Sequence, residues 1–317
     1  MNELPIQTLI FRSKFIQTIR SFFLSRNFVE LDTPILNPVP GMEPYLDPFE
    51  VYSPDKREKG YLFTSPEYSL KQSLSMGLER IFEFSHSFRS GERGLVHTSE
   101  FIMLEFYIKG INEQELILFC EELLGFLDET LNLNKLERHN ITKKTMEQLF
   151  TEILDIGLSR EELLRFIRNE KVLLQNPEEA MYEDLFFIIF LNYIEPKLPE
   201  GPLFVYDYPP ELSALARIEE GKAKRFEIYW KGIELGNGFY ELTDYEEQKR
   251  RFENERKLRQ SLGKEAFPDN VDFMKSLKRG LPECSGIAIG LDRLLMLFLG
   301  LDSLQFVSPY YQSGRNE

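Results

Sequence analysis

Residues 284–293 read Cys-Ser-Gly-Ile-Ala-Ile-Gly-Leu-Asp-Arg, a β-like run that leads directly into an apolar helix. Gly286 and Gly290 carry no side chains, which predicts that a ligand lies against the backbone at these positions. Arg293 falls in the first turn of the helix, where its guanidinium can bind a phosphate through two parallel hydrogen bonds. Taken alone, the stretch is also typical of a packed strand-to-helix corner with a surface arginine.

Two upstream segments favour the ligand-binding interpretation. Residues 88–107 are predicted to form a strand, a polar loop and a second strand, with Arg89 at the end of the first strand. The loop contains Gly91 and Gly94, which permit close approach of a ligand. Residues 26–34 are predicted as the end of a helix and a strand that stops at a proline.

Bulk properties limit the classes of function. The 317 residues are 42% hydrophobic and 28% charged, which is typical of a globular protein with a large core. No segment approaches the ~20 apolar residues of a membrane-spanning helix. The two cysteines predict reduced thiols and a cytoplasmic location. The net charge of −14 disfavours broad contact with a phosphate backbone, so tRNA is not expected as a partner.

The order of the predicted elements indicates the fold class. Strand-rich ends around a helical middle predict an α+β fold built on an antiparallel sheet. Residues 110–195 are predicted to be mostly helical, with helices that begin after Asn112, Thr145 and Ser159. We expect this stretch to be an elaboration of a single domain that covers residues 1–317. Residues 244–262 carry dense charge of both signs and predict a helix with a solvated face.

Glu227, Glu234 and Glu241 recur at intervals of seven residues. A tight turn at residues 231–232 would pair Tyr229 with Glu234 and would place Glu227 and Glu234 on one face of adjacent strands. Neighbouring carboxylates repel unless a cation joins them, and Mg²⁺ bound to a triphosphate is a natural partner. Taken alone, the spacing of these three residues favours the alternative that their carboxylates are simply exposed on strands.

The three segments resemble, in this order, motifs 1, 2 and 3 of the class II aminoacyl-tRNA synthetases. Residues 64–68, 100–107 and 234–242 are similar to the lysine-specific branch, and the resemblance extends from about residue 12 to the end of the chain. It implies the antiparallel sheet flanked by helices of that fold and a homodimer formed through motif 1. It also implies ATP and Mg²⁺ as the means of activating an amino acid as its adenylate.

The resemblance assigns roles to the nucleotide-binding residues. Arg89 and Arg293 are the implied catalytic residues, with Arg89 on the α-phosphate and Arg293 on the γ-phosphate. Glu227 and Glu234 are the implied ligands of Mg²⁺. The implied ATP-binding set is Arg89, Ser90, Gly91, Glu92, Thr98, Glu234, Leu235, Gly290 and Arg293.

The resemblance also implies a site for a substrate with two amino groups, whose ammonium charges require buried carboxylates. Glu67 is expected to face the backbone amine, whereas Glu105, Tyr107 and Glu241 face the side-chain ammonium. Because strand alternation alone would turn Glu241 away, we expect a bulge near residues 236–238. The implied substrate-binding set is Ser65, Pro66, Glu67, Glu105, Tyr107, Asn237, Glu241 and Ala288.

Three features distinguish between functions within this family. About a dozen residues precede the motif 1 helix, so no N-terminal OB-fold anticodon domain is expected. The chain therefore resembles the free-standing paralogues that join (R)-β-lysine to a lysine of elongation factor P, and Ala288, where the tRNA synthetases tend to have glycine, favours this. Gly91 and Thr98 depart from the usual motif 2 residues. The alternatives are an enzyme similar to lysyl-tRNA synthetase that acts on α-lysine, and a non-catalytic regulatory module.

Overall fold

The structure is a computed structural model that describes residues 4–41, 43–136 and 141–312. Its helices are α1 Ile6–Leu24, α2 Glu67–Ser75, α3 Glu113–Thr130, α4 Met146–Leu154, α5 Arg160–Asn169, α6 Tyr182–Ile189, α7 Tyr245–Ser261, α8 Val271–Gly280 and α9 Leu291–Phe298. Its strands are β1 Val29–Glu30, β2 Leu36–Asn37, β3 Phe49–Tyr52, β4 Lys59–Leu62, β5 Arg80–Phe88, β6 Glu100–Lys109, β7 Thr142–Thr145, β8 Leu203–Tyr208, β9 Ile218–Glu219, β10 Lys222–Trp230, β11 Ile233–Tyr240 and β12 Cys284–Gly290.

The large sheet has the strand order β1-β5-β6-β12-β11-β10-β8-β7, with β9 paired to β10. Its central pairs are antiparallel, whereas β1 runs parallel to β5 and β7 runs parallel to β8 at the two edges. A second, small sheet has the strand order β2-β4-β3. The predicted α+β fold with an antiparallel sheet is confirmed.

Helices cover both faces of the large sheet. Helices α1, α3 and α9 pack on one face around a phenylalanine-rich core that includes Phe23 and Phe106. On the other face, α2, α7 and α8 pack at one end around Phe252 and Phe273. Helices α4 to α6 pack at the other end of that face around Phe186. None of the described helices has the length and apolarity to span a bilayer.

The predicted helix beginnings are confirmed. The Asn112 side chain accepts hydrogen bonds from the first turn of α3, and Thr145 and Gln148 form a reciprocal cap on α4. The Ser159 hydroxyl oxygen caps α5 by accepting a hydrogen bond from the Glu162 N–H. Inside the region predicted to be mostly helical, β7 is a short strand that was not predicted, because its Thr-Lys-Lys-Thr sequence lacks the apolar alternation that identifies strands.

The β10–β11 hairpin has the predicted turn. Lys231 and Gly232 both have positive φ, and Tyr229 pairs with Glu234. The predicted bulge is present, but it lies at Leu235 and not at residues 236–238, because the register shifts between Ile228 and Tyr229. The extra residue reverses the alternation that follows it, which places Asn237 and Glu241 on the same face of β11 as Glu234.

Candidate active site

A cavity of about 760 Å³ lies on the sheet face opposite α1, α3 and α9. Its floor is formed by side chains of β6, β10, β11 and β12, and its walls include residues of α6 and α7. The cavity exists because α2, α7 and α8 pack at one end of this face while α4 to α6 pack at the other. The residues predicted for motifs 2 and 3 therefore meet in one space.

Arg89 lies in the cavity, directly after β5. Its backbone N–H donates to the carbonyl of Ser99 at 2.9 Å, which closes the base of the motif 2 loop. Its guanidinium lies 5.2 Å from the centre of the Phe101 ring, and its Nη1 is 3.7 Å from a Glu92 oxygen. The buried Nε has no hydrogen-bond partner among the residues that the structure describes. An unpaired buried donor of this kind is suited to an anionic ligand.

Arg293 is fixed more tightly. Its Nε donates to the carbonyl of Val96 and its Nη1 to the carbonyl of Glu234, each at 2.9 Å, which leaves Nη2 for a ligand. Burial lowers the pKa of its guanidinium. The helix start that carries it is itself anchored, because the buried Asp292 pairs with Arg12 at 2.5 Å across the core.

The other predicted nucleotide residues divide into two groups. Glu92, Thr98, Leu235 and Gly290 line the cavity, whereas Ser90 and Gly91 are not among its lining residues. The Ser90 N–H donates to the carbonyl of Asp47 at 2.8 Å, and Gly91 is exposed with a φ of +82°. The Thr98 hydroxyl donates to the carbonyl of Tyr310 at 3.2 Å.

The paired carboxylates differ in their surroundings. Glu227 accepts hydrogen bonds from the hydroxyls of Tyr208 at 2.6 Å and Tyr229 at 2.5 Å, and it also pairs with Arg225. Glu234 lines the cavity, and burial, reinforced by the charge of Glu227, raises the pKa of its carboxyl to about 7. Within the described residues, no group of three or more histidine, cysteine or acidic side chains has the geometry of a metal site. Of the two predicted ligands of Mg²⁺, Glu234 is the more accessible, because it lines the cavity whereas Glu227 is bound by two tyrosines and an arginine.

The predicted substrate residues lie at two depths. Ser65, Glu67, Asn237 and Ala288 line the cavity. Three others are buried beneath it, with exposures of 1% for Glu105, 2% for Tyr107 and 0% for Glu241. Pro66 is not among the lining residues and precedes the first residue of α2.

Two of the buried carboxyls have strongly raised pKa values. The Tyr107 hydroxyl donates to Glu105 Oε1 at 2.7 Å, and Glu105 Oε2 has no hydrogen-bond partner in the described part of the chain. Burial, together with the nearby charge of Glu67, raises the pKa of Glu105 well above its usual range. Burial also raises the pKa of Glu241 to about 8, although Lys71 opposes this rise. Such a cluster is suited to a cationic ligand, whose charge would favour ionisation of both groups.

Two residues of the site were not predicted from the sequence. Arg225 is buried and pairs with Glu227, and Lys71 is buried between Glu67 and Glu241. The i,i+4 spacing of Glu67 and Lys71 on a predicted helix was a usable signal for that pair. The contact between Lys71 and Glu241 joins residues 170 positions apart and has no local signal.

The role predicted for Gly286 was wrong. A Cβ atom at this position would lie 2.2 Å from two ring atoms of Tyr107. Gly286 therefore leaves room for the neighbouring Tyr107 side chain and not for a ligand. Gly290, by contrast, lines the cavity, and a Cβ there would approach no described atom closer than the Arg293 side chain at 3.7 Å.

Comparison with known proteins places this geometry in a family. The protein-family model described as tRNA synthetases class II (D, K and N) matches residues 2–313. This chain belongs to that family. The resemblance inferred from motifs 1, 2 and 3 is thereby confirmed.

Curated relatives define the branch of the family more closely. The chain is 38% identical over 320 residues to the elongation factor P–(R)-β-lysine ligase of Buchnera aphidicola subsp. Schizaphis graminum, with 96% of this chain and 95% of the relative covered. Proteins of the same name from Avibacterium paragallinarum and Proteus mirabilis are each 36% identical, with the same coverage. The chain therefore groups with these ligases, as its motifs predict.

Proposed function

We propose that this protein uses ATP to activate (R)-β-lysine as its adenylate and transfers the β-lysyl group to the ε-amine of a lysine on elongation factor P. The observation that carries the proposal is a single cavity that joins two arginines to a cluster of buried carboxyls. The similarity to ligases of that name over almost the whole chain supports the same substrates. It disfavours both an enzyme for α-lysine and a non-catalytic module.

In the first step, a carboxylate oxygen of β-lysine attacks the α-phosphorus of ATP. A new phosphorus–oxygen bond forms, the bond to the bridging oxygen of the β-phosphate breaks, and pyrophosphate leaves. Arg89 would stabilise the charge on the α-phosphate and Arg293 the charge on the γ-phosphate. Arg293 is held by two hydrogen bonds before the reaction, and Arg89 lies against the Phe101 ring, so both favour the transition state with little reorganisation. No side chain acts as a nucleophile, since positioning and charge supply the catalysis.

The carboxylates of β10 and β11 fit a divalent cation in part. Mg²⁺ is commonly held by one or two carboxylates, together with phosphate oxygens and water. Glu234 would hold it directly, whereas Glu227 can join only if Arg225 or a tyrosine gives up its bond. The ion would neutralise part of the triphosphate charge.

In the second step, the deprotonated ε-amine of the acceptor lysine attacks the carbonyl carbon of the adenylate. An isopeptide bond forms, the carbon–oxygen bond to phosphate breaks, AMP leaves, and the amine loses a proton. Glu67, Glu105 and Glu241, with Tyr107, would hold the two amino groups of β-lysine during both steps. Ala288 lies between Glu105 and Asn237 in the strand register, so its methyl group limits the space at the centre of the site.

We also propose that the protein acts as a homodimer through the region of motif 1. Apolar side chains there are exposed, at 45% for Val29, 39% for Ile35 and 55% for Leu36. A contiguous exposed apolar patch is typical of a protein interface. A single domain and a cytoplasmic location stay predictions of the sequence.

The test is ATP–pyrophosphate exchange with (R)-β-lysine and with L-α-lysine. We expect a strong preference for (R)-β-lysine, and a loss of about 10²–10³-fold in kcat for Arg89→Ala and for Arg293→Ala. Arg57→Ala is the matched control, because Arg57 is 86% exposed on the surface.

Other results of the exchange assay would support other functions or contradict the assigned roles. Preference for L-α-lysine supports an enzyme similar to lysyl-tRNA synthetase. ATP binding without exchange for either amino acid supports the non-catalytic module. Exchange at the wild-type rate in either active-site variant contradicts the assigned roles of the arginines.

A further inference from the structure

Lys71 is a buried cation inside the region assigned to the amino-acid substrate. Its side chain is 1% exposed, and its Nζ lies 2.5 Å from Glu67 Oε1 and 2.5 Å from Glu241 Oε2. The ammonium also lies 6.0 Å from the ring centres of Tyr107 and Phe273. Although burial opposes it, the charges of Glu241 and Glu67 raise the pKa of Lys71, so the amine stays protonated.

The position of Lys71 determines how its two partners can behave. A cation that touches both carboxylates at 2.5 Å holds the bonded oxygens within about 5 Å of each other, in a buried site. Without a cation between them, two carboxylates this close would repel each other, and the Glu67 side chain would be free to turn away from Glu241.

Glu67 is the partner that remains open to a ligand. Lys71 binds its Oε1, while the side chain as a whole is 13% exposed and lines the cavity. Lys71 lies four residues further along α2, so the ion pair is fixed within one helix. Because Lys71 belongs to the same helix, it holds the Glu67 side chain directed into the cavity.

We propose that Lys71 is a positioning residue for the amino-acid substrate, which holds the Glu67 carboxylate fixed in direction so that it can receive an ammonium group. The inference rests on the proposed function, since it assumes an amine-bearing substrate in this cavity. Burial raises the pKa of Glu105 and Glu241, so their ionisation requires the charge of a bound ligand, and with Lys71 as the resident cation two negative charges then remain to be matched. A diamine supplies that number, whereas a substrate with one amino group does not.

Other ionisable groups act on this cluster from each element packed against it. Glu105 and Tyr107 of β6 interact with Glu67, and Cys284 of β12 interacts with Glu241 and Lys71. Glu43, from the loop before β3, and Glu255, from α7, also interact with Glu67. These groups are neutral or acidic. Arg89 and Arg259 act on Glu43, and Arg251 acts on Glu255, whereas among the described residues Lys71 is the cation that pairs with Glu67.

The test compares wild-type protein with Lys71→Met in ATP–pyrophosphate exchange from pH 6.5 to 9.5. We expect KM for (R)-β-lysine to rise at least about tenfold at pH 7, with kcat and KM for ATP changed less than about threefold. Removing Lys71 also removes the influence that lowers the pKa of Glu241. The fall of KM with rising pH should therefore move to higher pH by about one unit. Titration of the substrate amines is common to both proteins and cancels in the comparison.

Two further variants make the result decisive. Lys275→Met, at an exposed lysine of α8, is the matched control and should behave as wild type. Lys71→Gln keeps a neutral donor between the carboxylates and should show the same rise in KM and the same shift with pH, even if Lys71→Met does not fold.

The outcomes separate the two proposals. A KM for (R)-β-lysine that is unchanged or lower in the folded Lys71 variants overturns the positioning role, as does an equal rise in KM for ATP. Absence of exchange in the wild-type protein contradicts the proposed function itself.

Discussion

Gly286 shows how a single hydrogen atom in place of a methyl group shapes the substrate site. The position lies on β12 opposite Tyr107 of β6, and an added Cβ would meet the tyrosine ring at 2.2 Å. Because the ring packs against the sheet and is 2% exposed, it cannot move without disturbing the core. We expect Gly286→Ala to lower the free energy of unfolding by about 1–3 kcal/mol. Chemical denaturation measures this.

The same substitution should act on substrate binding. Displacement of Tyr107 breaks its 2.7 Å hydrogen bond to Glu105, so KM for the amino acid should rise while KM for ATP is little changed. Gly125→Ala is the control, since Gly125 is exposed in α3 and an added Cβ meets no atom within 4 Å. It should stabilise the helix by up to about 1 kcal/mol. Equal stability for the two variants contradicts the packing argument.

At the scale of single residues, the sequence predicts the role of a residue when that residue belongs to a local sequence pattern. Arg89 and Arg293 follow recognisable strand ends, and the structure brings both into one cavity. Lys71 and Arg225 are cations whose burial depends on strands and helices that are distant in the chain, and charge alone places a lysine or an arginine at the surface. Residues of this second kind require the three-dimensional structure.

Helix α7 illustrates the same limit at the scale of an element. Its dense charge predicts a helix with a solvated face, and the structure has such a helix over Tyr245–Ser261. One of its arginines points inward, however, because Arg259 is 2% exposed. Arg259 Nη1 lies within 3.1 Å of the carbonyl oxygens of Glu43, Pro44 and Leu46. The element was predictable from its charge pattern, whereas the direction of one side chain depended on a loop 213 residues away.

This contact makes Arg259 the anchor of the loop that borders the cavity. We expect Arg259→Met to leave three carbonyls without their donor and to lower the free energy of unfolding by about 1–3 kcal/mol. The loop carries the Asp47 carbonyl that accepts from the Ser90 N–H at 2.8 Å, so hydrogen exchange at Ser90 should become faster. Hydrogen exchange followed by mass spectrometry measures this directly.

Arg250 provides the control on the same helix. Its side chain is 67% exposed and pairs with Glu247, so Arg250→Met should change neither stability nor exchange at Ser90 measurably. Unaltered exchange at Ser90 in a folded Arg259→Met protein would show that the loop is held by other contacts.

At the scale of the whole molecule, the exposed apolar residues in the region of motif 1 are candidates for an interface with a second copy of the chain. Leu36 is 55% exposed on β2, and Val29 and Ile35 are exposed nearby in the chain. The sequence implied a homodimer only through its family resemblance, since composition does not encode symmetry. Burying this surface against a second copy would remove its apolar area from water.

We therefore expect the wild-type protein to be a dimer at micromolar concentration and Leu36→Asp to weaken dimerisation at least about tenfold, because a charge would be buried in an apolar contact. Size-exclusion chromatography with light scattering, across a dilution series, measures both. Leu173→Asp is the matched control, as Leu173 is 96% exposed outside motif 1 and should leave the dimer intact. A wild-type monomer over the whole series, or equal dissociation of the two variants, would show that this surface is not the interface.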